Sequence, residues 1–290
     1  MKLQTKLLIG ILTIAVILIS GCAPEEIPEE KVPEEIGEEL SIISEKIEEK
    51  IPAPEERIPI TSLTISMVYD NNEYDPKLKT AWGTACLIEI ENKKILFDTG
   101  GDSLTLLDNM KKMDIDLTQI DIVVLSHIHG DHVGGLDGFL EENNKVTVYV
   151  PSSFPDSFRQ KIAKAGADFV DVDKPIKICG GVYSTGELGT WIKEQSLVVD
   201  TAKGLVVISG CAHPGIADIV RKAKELLNKN VYLVLGGFHS PPLSVVQEFK
   251  ELEVEKVAPC HCTGDRAIQA FKGEYEENFI KNGVGKVIRI

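Results

Sequence analysis

The sequence predicts one α/β domain of roughly 230 residues behind an N-terminal segment of different character. Three observations predict it. From residue 61 the chain opens with β-rich runs and then alternates apolar strands with helical stretches, and it carries neither an internal repeat nor a second linker. A hydrophobic content of 43% over 290 residues supplies a large core.

The N-terminal segment comes first. Lys2 and Lys6 precede "LLIGILTIAVILIS", an apolar run too short for a membrane span of about 20 residues but suited to the hydrophobic region of a signal peptide. It ends in Ile19-Ser20-Gly21-Cys22, which resembles the processing box of a prokaryotic lipoprotein. Residues 1–21 are therefore expected to be a signal peptide and Cys22 the lipidation site, which anchors the protein on the outer face of the cytoplasmic membrane. Residues 22–60 are expected to be a solvated tether, since positions 23–60 hold six prolines and thirteen glutamates against four basic residues. Within it Ile36, Leu40, Ile43, Ile47 and Ile51 recur at helical spacing. The tether has a net charge of −9 and the signal segment +2 from Lys2 and Lys6, so of the −14 overall −7 lies in the domain, which argues against a large nucleic-acid surface.

The domain elements follow in order. "TSLTISMVYD", "TACLIEIE" and "KKILFDTG" read as strands, the last two joined through Asn92-Lys93. "SLTLLDNMKKM" reads as a helix and "IDIVVLSH" as a buried strand. Then come the strand "KVTVYVP", a helix near 153–165, the strands "KPIKICGGVYS", "QSLVVDT" and "GLVVISG", a helix near 215–227, the strand "VYLVLGG", a helix near 243–252, the strand "VEKVAPC" and a helix over 265–271.

All six histidines sit just past the end of an apolar run: His127, His129 and His132 after "IVVLS", His213 after "VVISGCA", His239 after "YLVLGGF" and His261 after "KVAPC". In α/β folds the loops beyond the carboxyl ends of strands collect ligands and reacting groups. His127 and His129, two apart on extended chain, can face one ion, while Asp131 and His132 follow a glycine and can face a neighbouring ion. Imidazole and carboxylate suit Zn, Fe and Mn alike. Cys86 and Cys179 read as buried hydrophobes. Cys260 and Cys262 flank His261, and on an extended strand they would point away from its face, so their joint ligation is not expected.

"SHIHGDHVGGL", Ser126 to Leu136, and "ILFDTG", Ile95 to Gly100, resemble the signature of the metallo-β-lactamase superfamily. The resemblance implies a four-layer αββα sandwich over residues 61–290, with two divalent metal ions, zinc foremost, at one edge. "YDNN", "EQSLVV", "ISGCAHPGI", "LGGFH" and "APCHCTGDRA" further resemble the branch named for a dihydropterin ribofuranosylaminobenzene phosphate synthase. By that resemblance His127, His129, Asp131, His132, His213 and His261 are the expected metal ligands. Asp98 is expected to orient the site and Asp131 to move a proton beside a metal-bound hydroxide, which makes these two the candidate catalytic carboxylates. Where most members carry a bridging aspartate this chain offers Cys211 and His213 instead; Cys211 and, separately, His239 stand as metal or substrate contacts. The expected function is a metal-dependent hydrolase of a small-molecule phosphoester, ester or lactone. The alternatives are a transferase of the synthase type and a non-catalytic metal- or solute-binding lipoprotein. A diiron oxidoreductase fits less well, because His129 stands where such proteins usually have glutamate.

Overall fold

A computed structural model describes residues 57–290. The signal peptide, the lipidation of Cys22 and the tether as far as residue 56 lie outside the described residues. Within the stretch assigned to the tether, residues 57–60 pack on the domain. The Arg57 guanidinium donates to Leu227 O at 2.8 Å, and Ile60, which is buried, donates its N–H to Asp200 O at 2.8 Å.

Two mixed sheets form the centre. The first contains β1 (Leu63–Asp70), β2 (Thr84–Ile90), β3 (Lys93–Phe97), β4 (Ile122–Val124), β5 (Thr147–Pro151), β6 (Asp168–Val172) and β13 (Val287–Arg289), in the order β13-β1-β2-β3-β4-β5-β6. The second contains β7 (Ile176–Cys179), β8 (Val182–Ser184), β9 (Leu197–Thr201), β10 (Gly204–Ser209), β11 (Val231–Gly237) and β12 (Lys256–Cys260), in the order β12-β11-β10-β9-β8-β7. In the first sheet the hairpin-linked strands β1 to β3 pair antiparallel, and β3 to β6 pair parallel. In the second, β7 to β10 pair antiparallel and β10 to β12 parallel. Parallel pairing requires a crossover, and the crossovers are helices. They are α1 (Ser103–Lys112), α2 (Gly130–Val133), α3 (Leu136–Glu142) and α4 (Asp156–Lys164) on the first sheet, and α5 (Ile216–Leu227) and α6 (Ser244–Glu251) on the second, with α7 (Asp265–Tyr275) after β12.

Side-chain alternation explains the layering. In β10, Val206 and Ile208 enter the core between the sheets while Leu205 and Val207 enter the core under α5, α6 and α7. In β4, Ile122 and Val124 face the first of these and Val123 faces the helices of the other side. A strand covered on both faces reads as an unbroken apolar run. The result is the αββα sandwich, helices outside and two sheets inside.

Some elements differ from the sequence reading. Ile90 pairs directly with Lys93, so the β2–β3 turn is Glu91-Asn92. Strands β6 and β13 and helices α2 and α3 were not expected; β6 carries Asp168 and Asp171 on a sheet edge, and those charges mask its pattern. Helix α7 runs to Tyr275 because Phe271 and Tyr275 continue its apolar face into the core. No described helix is long and apolar enough to cross a membrane.

Candidate metal centre

The ligand-bearing loops all leave the carboxyl ends of parallel strands: residues 125–132 after β4, 210–213 after β10, 238–239 after β11 and 261–262 after β12. Two groups of donors result. His127, His129 and His213 form one, and Asp131, His132, Cys211 and His261 form the other. The rings of His127 and His132 lie 4.1 Å apart, which sets the groups side by side.

The buried carboxylate of Asp98 fixes part of both. Its Oδ1 accepts from Ser126 N at 2.7 Å, and its Oδ2 accepts from Ser126 Oγ at 2.7 Å and from His132 Nδ1 at 2.7 Å. Ser126 Oγ also lies 2.9 Å from His127 Nδ1. A carboxylate only accepts, so the serine proton goes to Asp98 and the serine oxygen takes the His127 Nδ1 proton. Both His127 and His132 are thereby left with a bare Nε2 aimed into the site. Gly210 permits this contact, since a Cβ there would fall 2.1 Å from Ser126 Oγ. Asp98 is a positioning residue: it is fully buried and acts on the donor rings through Ser126 and His132.

The remaining candidate ligands have their own supports. Asn71 Oδ1 accepts from His261 Nδ1 at 2.8 Å while Asn71 Nδ2 donates to His261 O at 3.2 Å. Buried Glu194 catches the loop after β10: its Oε1 accepts from Cys211 N at 2.9 Å and Ala212 N at 2.8 Å, and its Oε2 accepts from His213 N at 2.8 Å. Burial pushes the Glu194 carboxyl up, and the N–H groups of Ala212 and His213 pull it back. Ser126, Asn71 and Glu194 were not singled out from the sequence. Asn71 and Glu194 lie in "YDNN" and "EQSLVV", and their polarity beside apolar strands was the available signal.

The spacings test whether cations fit. His127 Nε2 lies 3.1 Å from His129 Nδ1 and 3.2 Å from His213 Nε2. In the other group Cys211 Sγ lies 3.1 Å from His132 Nε2 and 3.4 Å from His261 Nε2, and Asp131 Oδ2 lies 3.4 Å from His261 Nε2 and 3.7 Å from His132 Nε2. Tetrahedral ligands at about 2.0–2.3 Å from an ion stand roughly 3.3–3.8 Å apart. Ring nitrogens at these spacings share either a proton or a cation, and both groups have the spacing that fits one cation. Cys211 thus joins the Asp131 group. His239 does not join either: it is exposed, its ring 4.3 Å from that of His213, and it groups with Cys211 and Cys262.

Cys262 groups with Cys211 and His239 rather than with His261, and the backbone there is not extended strand. Strand β12 stops at Cys260, and His261 takes a left-handed φ of 49° that opens a 3-10 turn, so alternation along a strand no longer applies. Cys260 stays in the inter-sheet core, and Cys86, Cys211, Cys260 and Cys262 carry thiols. The contact with Cys262 and then burial push the Cys211 thiol well up, so in the absence of an ion this sulfur keeps its proton.

Electrostatics favour the metal-binding forms of His127, His213 and Asp131, but not of His132. Burial, then His132 and His213, hold His127 far below the ordinary imidazole range. Burial, then His239 and His129, lower His213 to about 4. Burial opposes ionisation of Asp131, but His261 and His132 outweigh it and hold the carboxyl well below its usual range. Burial opposes a proton on His132, and the Asp98 carboxylate outweighs it.

A pH dependence follows. Between about 4 and the unfolded value of 6.5, His213 binds fewer protons folded than unfolded, so stability falls as pH falls through that window. Metal-free wild type is expected to lose more melting temperature between about pH 7 and pH 4.5 than His213→Gln does. Equal pH slopes for the two proteins would contradict the assignment.

Comparison with known proteins agrees with this architecture. The sequence profile of the Metallo-beta-lactamase superfamily matches residues 83–221. The chain is 31% identical to the 7,8-dihydropterin-6-methyl-4-(beta-D-ribofuranosyl)-aminobenzene-5'-phosphate synthase of Methanocaldococcus jannaschii, over 77% of this chain and 95% of that one. It is 33% identical to an uncharacterized protein of the same archaeon, over 78% of this chain and 100% of that one. A solved metal-dependent hydrolase of the beta-lactamase superfamily superposes with a TM-score of 0.64 at 27% identity, covering 78% of this chain and 98% of its own.

Proposed function

This chain belongs to the metallo-beta-lactamase superfamily, and from that premise we propose that it is a metal-dependent hydrolase of a small-molecule phosphoester, ester or lactone. The observation that carries the reading is the pair of adjacent donor groups, each spaced for one cation. The 27% identical solved hydrolase supports the reaction class.

His127, His129 and His213 would hold one ion, and Asp131, His132, Cys211 and His261 the other. Divalent ions so held lower the pKa of bound water and polarise a carbonyl or phosphoryl oxygen. The protein's own groups supply the rest. Asp131 keeps its side chain 21% exposed in the second group, where an ionised carboxylate can accept a proton from attacking water. Trp82 is 61% exposed with its ring 5.1 Å from that of His261, and so offers an apolar wall beside the ligands. Asp98, Asn71 and Glu194 hold ligand rings and loop in place. The donors suit zinc first, since a thiolate in the Asp131 group disfavours manganese relative to zinc or iron.

A panel of phosphodiester, ester and lactone substrates tests the proposal on zinc-, manganese- or iron-loaded protein. The expected result is turnover with water alone that falls by at least about 10²-fold in His127→Ala/His129→Ala. Full activity in that variant would end the reading. A second reading, transfer rather than hydrolysis, is favoured by the identity spanning 95% of the synthase. It predicts turnover only when a second organic substrate is added.

The location we propose is the outer face of the cytoplasmic membrane, through a lipid on Cys22. The support is the sequence of residues 1–22. It favours an external substrate, and Cys22→Ser is expected to move the protein from the membrane to the soluble fraction. Unchanged membrane association in that variant would contradict it.

A further inference from the structure

The two donor groups leave the Cys262 thiol unused, yet it is not isolated. Cys211 Sγ, Cys262 Sγ and a ring nitrogen of His239 lie within 4.8 Å of one another, although the three residues leave three different strands, β10, β12 and β11. The backbone is arranged to bring them together. A Cβ at Gly237 would fall 2.7 Å from Cys262 Sγ and 2.4 Å from Gly210 O, so only glycine lets β11 pass this close. His239 and Ser240 both take left-handed φ, 53° and 43°, which carry the chain out of the line of β11. The His239 N–H points at Cys262 Sγ at 3.3 Å, while the ring turns to the mouth of the site.

We propose that Cys211, His239 and Cys262 form a third metal locus, at the rim of the site, for a thiophilic cation such as zinc or cadmium. Two sulfurs and an imidazole are the donor set such ions prefer, and one that magnesium, calcium and manganese bind poorly. Cys86 and Cys260 show the contrast: they are buried between the sheets and belong to no group of potential metal ligands among the described residues. Cys262 is half-buried and His239 is exposed, so an ion can enter from solvent and keep an open position. Cys211 belongs to this locus and to the Asp131 group at once. Its sulfur therefore bridges the two, and occupancy at the rim is linked to occupancy of the buried centre.

The proposal goes beyond the hydrolase reading and does not depend on which bond is broken. Reduced, metal-free full chain is titrated with cadmium, following the thiolate-to-metal charge-transfer absorbance and the bound cadmium by elemental mass spectrometry. Wild type is expected to take up a third equivalent beyond the two donor groups. Cys262→Ser and His239→Ala are each expected to lose that equivalent. The charge-transfer band of Cys262→Ser is expected to be about half that of wild type, one sulfur in place of two. His239 is exposed, so its variant tests the locus without disturbing the core. Wild type that saturates at two equivalents, or both variants binding as much as wild type, would overturn the proposal and leave the binuclear reading standing. A failed substrate screen would leave the rim locus untouched.

Discussion

Replacing Asp98 by asparagine is expected to weaken metal binding at both donor groups by about 10- to 100-fold each. The carboxylate accepts three hydrogen bonds, one at Oδ1 and two at Oδ2, and an amide keeps only one accepting oxygen. If the amide oxygen stays with Ser126 N, its NH₂ faces Ser126 Oγ and His132 Nδ1. His132 must then move its proton to Nε2, the nitrogen that has to be bare. Ser126 must accept from the amide and can no longer define the His127 tautomer. One substitution at a residue that touches no ion would therefore disturb two ligands in two groups. Competition with a chromophoric chelator measures the affinities, and wild-type affinity at both groups would refute the role given to Asp98.

Glu194→Gln is the second large effect, and here the loss is mainly in stability. Both carboxylate oxygens are used by the N–H groups of Cys211, Ala212 and His213. A glutamine must turn an NH₂ toward at least one of them. The neutral side chain recovers some of the desolvation cost of a buried carboxylate, but a donor facing a donor in a dry site costs about 1–3 kcal/mol for each group left unpaired. The net expectation is a loss on the order of 2–4 kcal/mol, roughly 5–12 °C in melting temperature for a domain of this size. Because the same loop carries Cys211 and His213, metal affinity should fall with it. A melting temperature within about 1 °C of wild type would show that Glu194 is not the loop's anchor.

The fold was legible where the chain is buried on both faces. Runs such as "GLVVISG" and "IDIVV" are apolar without interruption because alternate residues enter different cores, and such runs mark the strand ends where ligands gather. The histidines after those strands were legible for the same reason. Edge elements were not: β6 alternates with aspartates, and β13 has only three residues. Nor were supports that act across the fold. Glu194 reaches backbone groups 17 to 19 residues away, a relation set by the pairing of β9 with β10 and visible in no local pattern. For Cys262 strand alternation does not apply, because a left-handed His261 ends the strand after Cys260. For Cys211 the residues alone left its role open, and the 3.1 Å approach to His132 Nε2 assigns it to the Asp131 group.

The account stands on two adjacent cation sites. The most direct test is the metal content, by elemental mass spectrometry, of full-length protein purified without chelator or affinity-bound metal, for wild type and for His127→Ala/His129→Ala. The account predicts at least about two equivalents of zinc, manganese or iron in wild type, and loss of at least one in the variant with the fold retained. Folded wild-type protein that carries no metal and takes up none would contradict it.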